Sequence, residues 1–144
     1  MSESPKQEVI VHATCVAWAG RAVLIRGPSG SGKSGLALQL MAFGCQLVSD
    51  DGTCVIVRDG ALFATAPQTI RGRIEARGVG LLAAEARRTA RLILVVDLGL
   101  LETHRLPVWH GTEILGCELA LLHRVESTHF PAAILQYLKG GRVA

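Results

Sequence analysis

One segment of this sequence limits what the chain around it can fold into. Residues 27–34 read Gly-Pro-Ser-Gly-Ser-Gly-Lys-Ser, a complete match to the phosphate-binding loop pattern G-x-x-x-x-G-K-S/T. The apolar run 22–25 before it predicts a strand, and the apolar periodicity of 34–43 after it predicts a helix that ends at Gly44. A strand, a glycine-rich turn and a helix in this order predict an α/β fold built around a phosphate site.

The loop itself predicts a set of phosphate-binding residues. Its glycines let successive backbone N–H groups face one anion, and the helix N-terminus adds partial positive charge. The lysine is expected to reach the β- and γ-phosphates of a nucleotide, and the last serine is expected to ligate Mg²⁺. The predicted residues are Gly27, Pro28, Ser29, Gly30, Ser31, Gly32, Lys33 and Ser34.

Length and composition predict one cytoplasmic domain. The chain has 144 residues, of which 49% are apolar, so residues 9–144 can bury one core behind a flexible N-terminus at 1–8. The polar start carries no apolar signal segment, and no stretch is apolar enough to span a membrane. The four cysteines lack C-x-x-C pairing and are interpreted as buried thiols in a reducing compartment.

The charge pattern gives no sign of a nucleic-acid or membrane partner. The net charge is only +3 at pH 7. Six arginines are concentrated in one part of the chain, which favours phosphate handling in one region over a broad nucleic-acid footprint. They are Arg71, Arg73, Arg77, Arg87, Arg88 and Arg91.

Apolar runs and turn signals predict the other elements. Asp59-Gly60 is the strongest hairpin signal, because this pair readily adopts the positive φ angles of a type I′ turn. Residues 81–88 are compatible with a helix or an ordered loop, and 98–106 are predicted to be irregular. The predicted strands are 9–18 and 21–26 (joined by an Ala19-Gly20 turn), 46–49, 53–58, 61–65, 91–97 and one or two within 108–121; a C-terminal helix follows Ser127-Thr128 and ends at Lys139.

Three carboxylates compete for the role of metal ligand or base. Asp50 and Asp51 follow the predicted strand 46–49, at the edge of an α/β sheet where ligands bind. They could hold Mg²⁺ or accept a proton, or they could form an ordinary acidic turn with Gly52. Asp97 ends a hydrophobic strand, as a Walker B aspartate does. Spacing alone does not choose between them.

Other polar residues have both structural and functional interpretations. Glu75 and Arg77 fall on one face of a predicted extended segment. They could serve as a metal contact and a phosphate clamp, or they could form an ordinary surface pair. His12 lies in a predicted strand. It could be a structural histidine or the partner of a catalytic aspartate. The four other histidines show no metal-ligand spacing and are interpreted as structural or surface residues. They are His104, His110, His123 and His129.

The segments together resemble the catalytic domain of bacterial HPr kinase/phosphorylase. The match extends over roughly residues 9–98, and Gly111-Thr-Glu-Ile-Leu-Gly116 is a weaker one. The matching segments are Val11-His12, Gly27-Pro-Ser-Gly-Ser-Gly-Lys-Ser34, the helix ending at Gly44, Leu47-Val-Ser-Asp-Asp51 and Ile74-Glu-Ala-Arg-Gly-Val-Gly-Leu81, which looks like the family's signature block.

The resemblance implies a fold and an activity. The fold is a P-loop kinase core of the HPr kinase / PEP carboxykinase-like type, with a mixed sheet, hairpin strands before the loop and a C-terminal helix. The activity is ATP- and Mg²⁺-dependent phosphorylation of a serine of HPr, and its reversal by inorganic phosphate. The family's cores assemble as hexamers, which implies a homo-oligomer here.

The resemblance also implies residue roles. Asp51 would take the proton of the seryl hydroxyl, and His12 would orient and tune it. Ser34, Asp50 and Glu75 would be the metal residues. Asp50 would assist at the metal and so also counts among the catalytic residues.

Two further side chains take their interpretation from the family. Arg77 would support the phosphate or the local backbone. Asp97 is not expected to be a metal ligand, because the corresponding family strand carries none there.

The sequence departs from the longer family members. They carry an N-terminal domain, so this chain is expected to represent a compact kinase-core form found in some proteobacteria. Only 13 residues separate Asp97 from Gly111, where longer members place a flexible loop with a catalytic arginine. Arg105 is the only candidate substitute for that arginine.

Two alternative functions are considered. One is a nucleotide-binding regulatory module that has lost turnover because this segment is short, and the other is a small-molecule kinase of related phosphate-loop type. Asp50, Asp51, Glu75 and His12 argue against the first, because a pure binder needs no base.

Overall fold

The computed structural model describes residues 7–144. The part of the predicted flexible N-terminus at 1–6 lies outside the described residues. Glu8 already begins the first strand, and the carbonyl of Gln7 accepts a hydrogen bond from the Val57 amide at 2.9 Å.

The described residues form eleven strands, two α-helices and one 3₁₀ turn, which are joined by turns and loops. The helices are α1 (Lys33–Ala42) and α2 (Phe130–Gly140), and the 3₁₀ turn is Gln68–Ile70. The strands are β1 (Glu8–Val11), β2 (Ala13–Trp18), β3 (Arg21–Arg26), β4 (Gln46–Ser49), β5 (Thr53–Arg58), β6 (Ala61–Thr65), β7 (Arg73–Ala76), β8 (Gly80–Ala83), β9 (Thr89–Leu101), β10 (His110–Ile114) and β11 (Cys117–Arg124).

Nine of the strands form one mixed sheet, which confirms the predicted α/β class and the hairpin before the loop. The main path runs β1-β5-β6-β9-β3-β2-β4, and the β10–β11 hairpin joins β9 through β11. β9 pairs in parallel with β3 and β11 and antiparallel with β6. β7 and β8 form a separate hairpin.

Strand directions bring distant residues to one edge of this sheet. β2 runs antiparallel to both β3 and β4, so the carboxyl ends of β3 and β4 lie beside the start of β2. β9 and β11 run parallel to β3 and end at the same edge. The phosphate loop, the Asp50-Asp51 pair and the residues around His12 therefore meet there, although up to 39 positions separate them in the chain.

The two faces of the sheet carry separate apolar clusters. Alternate residues of β3 point to opposite faces, with Val23 and Ile25 in the cluster that α1 and α2 cover. Leu24 belongs to the opposite cluster, which includes Val95 and Val55. Burial on both faces explains why the strand before the loop reads as a continuous apolar run.

Several predicted boundaries need correction. The predicted strand 9–18 is two strands divided at His12, because β1 pairs with β5 whereas β2 pairs with β3 and β4. The helical alternative for 81–88 is wrong, since Gly80–Ala83 is a strand held by β7. The predicted irregular start at 98 is also wrong, because β9 continues to Leu101.

The predicted turns and helix limits agree closely with the structure. Asp59 and Gly60 have φ angles of 52° and 75°, and Ala19 and Gly20 have 48° and 82°. The residues 108–121 form the two strands β10 and β11, and α2 ends one residue after Lys139. Neither helix in the described part of the chain has the length and apolar character needed to cross a membrane.

Candidate functional site

The phosphate loop leaves backbone donors at the start of α1 without protein partners. Gly32 is the N-cap in a left-handed conformation, so it offers no side-chain oxygen to the first turn. Among the described residues, no side chain caps this end and no acidic residue lies in the first turn. The first N–H groups of a helix lack intrahelical acceptors, and the helix dipole favours an anion beside them. The local geometry fits a phosphate group.

The side chains of the loop support the same interpretation. The Lys33 ammonium is almost buried and donates to the carbonyls of Gly27 and Pro28 at 2.9 and 3.2 Å. The Ser31 hydroxyl is buried and has no hydrogen-bond partner among the described residues. A buried polar atom without a partner is costly. A phosphate oxygen would satisfy such a donor.

Asp50 connects the loop to two other segments. Its Oδ1 accepts hydrogen bonds from the Ser34 hydroxyl at 2.7 Å and the Thr14 hydroxyl at 2.9 Å. Its Oδ2 accepts the Glu75 amide at 3.0 Å. A carboxylate that holds the serine of a phosphate loop is placed as the Walker B aspartate is placed for Mg²⁺. Asp50 is therefore mainly engaged with the protein, whereas its neighbour is free to face a ligand.

Thr14 was not identified from the sequence, yet it is bonded to both aspartates. It lies at the start of β2, fully buried, between the ends of β3 and β4. Its hydroxyl donates to Asp50 and accepts the Asp51 amide at 3.3 Å. A buried threonine in a strand carries no local signal of function, so only the pairing of β2 with β4 reveals it.

Asp51 faces solvent and forms a pair with His12. The Asp51 backbone has a φ of 59°, in the left-handed region that aspartate tolerates better than most residues. Its Oδ1 lies 3.3 Å from Nε2 of His12, and both side chains are more than 60% exposed. The two residues that sequence reasoning predicted to act together are therefore adjacent, although their strands are separated by the whole loop and α1.

A cleft of about 560 Å³ contains most of the predicted site residues. The loop and the first turn of α1 form one wall, and Asp51 lies on another. The β7–β8 hairpin closes it with Glu75 and Arg77. Lys33, Ser34, Asp51, Glu75 and Arg77 therefore surround one space that is large enough for a nucleotide polyphosphate.

Asp97 is turned to other partners. Its Oδ2 accepts a hydrogen bond from Arg26 Nε at 3.1 Å, and its Oδ1 accepts the Gly99 amide at 2.8 Å. It lies opposite Arg26 in the β3–β9 pairing, whereas Ser34 bonds to Asp50. The Asp97 carboxylate is thus engaged by Arg26 and Gly99, whereas the Asp50 carboxylate is the one bonded to the loop serine.

The predicted concentration of arginines at one phosphate region is wrong. Of the six, only Arg77 lines the cleft. Arg91 pairs with Arg21 at the opposite end of β3, and Arg87 bonds to Gln46 at the start of β4. β9 begins at the edge of the sheet opposite the loop, so Arg91 and the residues just before β9 lie at that opposite edge. Arg105 is exposed in the segment between β9 and β10.

The sequence predicts structural or surface roles for the four later histidines; His104 and His129 are exposed, and the other two lie together. His110 and His123 stack with ring centroids 4.0 Å apart, and both lie beside Glu102. Desolvation acts to raise the pKa of Glu102, but hydrogen bonds from the His104 amide, the His110 ring and the Thr103 amide lower it overall. The three ligand-type side chains come from separate segments, so sequence spacing did not reveal them.

Comparison with known proteins identifies relatives of one kind. The family described as the HPr Serine kinase C-terminal domain matches residues 4–104. HPr kinase/phosphorylase of a Geobacillus strain (WCH70) is 39% identical over 105 residues, which cover 66% of this chain and 33% of that protein. The enzyme of the same name from Geobacillus kaustophilus is 41% identical over 100 residues, covering 62% and 32%. The chain thus spans about a third of the length of these relatives.

A solved structure shares the fold. The structure of the Hpr(Ser) kinase/phosphatase from Coxiella burnetii superposes with a TM-score of 0.75 at 22% identity. The match covers 91% of this chain and 94% of that one. The likeness confirms the predicted fold.

Proposed function

This chain belongs to the HPr serine kinase C-terminal domain family, and we propose that it is an ATP- and Mg²⁺-dependent kinase that phosphorylates a serine of an HPr-type carrier protein. One observation carries the proposal: the exposed Asp51 carboxylate, paired with His12, lies on the same cleft as Lys33 and Ser34. The cleft therefore has a loop that can bind a polyphosphate and, beside it, a carboxylate that is exposed to solvent. A hydroxyl of a protein substrate can reach that carboxylate.

The nucleotide end of the reaction falls to the loop. Backbone N–H groups and Lys33 would bind the β- and γ-phosphates. Ser34 would hold the metal, with Asp50 orienting its hydroxyl and Glu75 offering a further carboxylate from β7. Mg²⁺, when bound, supplies neutralisation of charge on the transferring phosphoryl group.

The acceptor end falls to Asp51. Its carboxylate takes the proton of the seryl hydroxyl as that oxygen bonds to the γ-phosphorus and the bond to the β-phosphate oxygen breaks, which releases ADP. His12, 3.3 Å away, orients the carboxylate. In phosphorolysis, an oxygen of inorganic phosphate bonds to the phosphorus of the phosphoserine while the bond from that phosphorus to the serine oxygen breaks, and protonated Asp51 gives its proton to the departing serine oxygen. The products are pyrophosphate and the carrier protein with its serine hydroxyl restored.

Arg77 is the basic residue that we assign to the transferring phosphate. It lines the cleft two residues after Glu75, at the turn between β7 and β8, whereas Arg105 is not among the residues around this space. An arginine there can neutralise charge that develops on phosphate oxygens.

Two further properties belong to this proposal. We place the protein in the cytoplasm, where its four free cysteines stay reduced. We also propose that it assembles as a homo-oligomer, hexameric by analogy with the family. Large apolar side chains around the β9–β10 connection are exposed and would be covered by such an interface. They are Leu100, Leu101, Leu106, Val108 and Trp109.

The test compares Asp51→Asn with Asp97→Asn. Each protein is incubated with labelled ATP, Mg²⁺ and HPr, and transfer to HPr and ATP affinity are both measured. Asp51→Asn should lower transfer by about 10²–10⁴-fold, the usual contribution of a general base, with ATP affinity nearly unchanged. Asp97→Asn is the matched control and should retain both, because Asp97 bonds to Arg26 and Gly99.

The outcomes separate the possible functions. Equal transfer by wild type and Asp51→Asn would refute the base assignment. ATP binding without transfer by the wild type would instead indicate a nucleotide-binding module. Label that appears in a metabolite and not in HPr would indicate a small-molecule kinase. Phosphate added to the phosphorylated carrier tests the reverse reaction through the release of pyrophosphate.

A further inference from the structure

A second group of ligand-type side chains lies outside the nucleotide cleft. Glu102 directly follows β9, His110 begins β10, and His123 is the penultimate residue of β11. None of the three lines the cleft around the phosphate loop. The proposed phosphotransfer uses none of them, so they call for a separate explanation.

Sheet register places the two histidines side by side. His110 pairs with Leu121 across the β10–β11 hairpin, and His123 lies two residues beyond Leu121 on the same face. Diagonal neighbours of this kind are within reach of each other's side chains. The rings stack with a centroid separation of 4.0 Å and an interplanar angle of 9°.

Backbone contacts hold Glu102 against this pair. Its amide donates to the Arg124 carbonyl at 2.8 Å, which ties the chain after β9 to the end of β11. Its Oε2 accepts the amides of Thr103 and His104 at 3.0 and 3.2 Å. Its Oε1 is therefore directed to the rings, 3.1 Å from His110 Nε2 and 3.8 Å from His123 Nδ1.

A break in strand register makes this arrangement possible. β11 pairs with β9 at His123↔Asp97, but the next pair is Arg124↔Leu101. The additional residues of β9 between Asp97 and Leu101 shift the register and bring Glu102 level with the end of β11. Bulges of this kind re-aim side chains and are frequent beside functional sites.

These distances match the coordination shell of a small transition-metal ion. A tetrahedral Zn²⁺ with ligands at about 2.1 Å has ligand atoms about 3.4 Å apart. The carboxylate-to-ring distances are 3.1 and 3.8 Å, and all three ligand atoms lie within 4.8 Å of one another. Binding one ion requires the lone pairs of both ring nitrogens to face a point beside Oε1.

The chemistry of the set also fits. Two neutral imidazoles and one carboxylate are a common three-residue set for Zn²⁺, with a fourth position left for water. The backbone amides on Oε2 supply the outer hydrogen bonds that orient a metal-binding carboxylate. The Arg124 guanidinium is directed to Glu126 at 2.8 Å, so its charge has a counter-ion outside the group.

We propose that Glu102, His110 and His123 form a binding site for a transition-metal ion of the Zn²⁺ class. Bound metal would cross-link the end of β9 to the β10–β11 hairpin and so fix the connecting segment that contains Arg105. The side chains are 10–25% exposed, so an ion can enter from solvent. This inference does not depend on the proposed kinase function.

The test uses Co²⁺ as a spectroscopic probe of the untagged 144-residue chain, freed of metal with a chelator. Excess Mg²⁺ is kept present so that the carboxylates of the nucleotide cleft do not contribute. We expect one Co²⁺ per chain with visible d–d absorption, displaced by one equivalent of Zn²⁺. His110→Ala and His123→Ala should each weaken Co²⁺ binding by at least about tenfold. Loss of a group that only hydrogen-bonds to a metal ligand already costs that much, and each histidine here is a direct ligand.

His129→Ala is the matched control, because His129 is an exposed histidine at the start of α2 whose ring contacts Ser127. It should bind Co²⁺ as the wild type does. Zn²⁺ should raise the Tm of the wild type and of His129→Ala but not that of the doubly substituted His110→Ala/His123→Ala protein. Absence of stoichiometric Co²⁺ binding by the wild type, or equal binding by the double variant, would overturn the proposal. A far-UV spectrum like that of the wild type shows that each variant is folded.

Discussion

At the scale of single residues, one buried threonine gives the two adjacent aspartates different environments. Thr14 donates to the Asp50 carboxylate and accepts the Asp51 amide. Asp50 is thereby fixed inward next to Ser34, while the Asp51 side chain is left to solvent and His12. The division of roles between two chemically identical neighbours follows from these hydrogen bonds.

Thr14→Val tests this role. The substitution keeps the shape of the side chain but removes a hydrogen bond to a buried carboxylate, and it should reduce the free energy of unfolding by about 1–3 kcal/mol. Phosphotransfer, measured well below the Tm where the variant is folded, should also fall, because residue 14 no longer hydrogen-bonds to the Asp50 carboxylate and the Asp51 amide. Thr14→Ser should restore most of the activity.

Thr53→Val is the control for stability alone. Thr53 is also fully buried, and its hydroxyl donates to the Ala13 carbonyl at 2.9 Å and, among the described residues, makes no hydrogen bond to either aspartate. It should lose comparable stability in chemical denaturation and keep its transfer rate. If both valine variants lost activity in proportion to stability, Thr14 would have only a structural role.

At the scale of elements, the loop and α1 depend on glycines in different ways. Gly27 has a φ of 151°, and a Cβ there would lie 2.7 Å from the Ser31 hydroxyl and 3.2 Å from the Leu98 Cβ. Gly35 lies in the first turn of α1, where a Cβ would meet nothing beyond its own helix and chain neighbours within 4 Å. The first glycine is required by its surroundings and the second is not.

Alanine at the two positions should therefore act in opposite directions on stability. Gly27→Ala should lower the free energy of unfolding by about 1–3 kcal/mol through backbone strain, and it should abolish tight ATP binding. Gly35→Ala should raise stability by about 0.5–1 kcal/mol, because glycine is the weaker helix former. Denaturant titration and ATP binding measure both. A Gly27→Ala protein with wild-type stability and affinity would contradict the tight packing of the loop against β9.

At the scale of the whole molecule, the sheet separates two apolar clusters, and the reactivity of the cysteine thiols can show how stably each cluster is packed. Cys15 in β2 is fully buried, and burial raises the pKa of its thiol. Burial also raises the pKa of Cys45, opposed by the charge of Lys139. Because the thiolate is the reactive form, a raised pKa slows alkylation at neutral pH. Cys117 lies at the start of β11 and is partly exposed.

Timed alkylation followed by mass spectrometry should give a defined order. Cys117 should react first in the native protein, and Cys15 should react only through global unfolding, since it is fully buried in a strand paired on both sides, with β3 and β4. The protection of Cys15 should disappear in denaturant at the same midpoint as the loss of tertiary structure. Native-state labelling of Cys15 as fast as that of Cys117 would show that β2 opens independently of the rest of the sheet.

The sequence by itself determined the features whose signals are local. The phosphate loop, the strand and helix beside it, and the tight turns at 19–20 and 59–60 are encoded within a few residues each, because glycine content and apolar period act at that range. The resemblance to a known family then selected Asp51 and His12, which the structure places 3.3 Å apart.

Tertiary structure alone decided what depends on strand register. Thr14 contacts Asp50 only because β2 pairs with β4. Arg87 and Arg91 lie far from the phosphate loop because β9 starts at the opposite edge of the sheet. His110 and His123 meet across a hairpin, and a break in register sets Glu102 beside them. Such contacts arise from the hydrogen-bonded pairing of distant segments, and no local period or spacing in the chain records which strands will be neighbours.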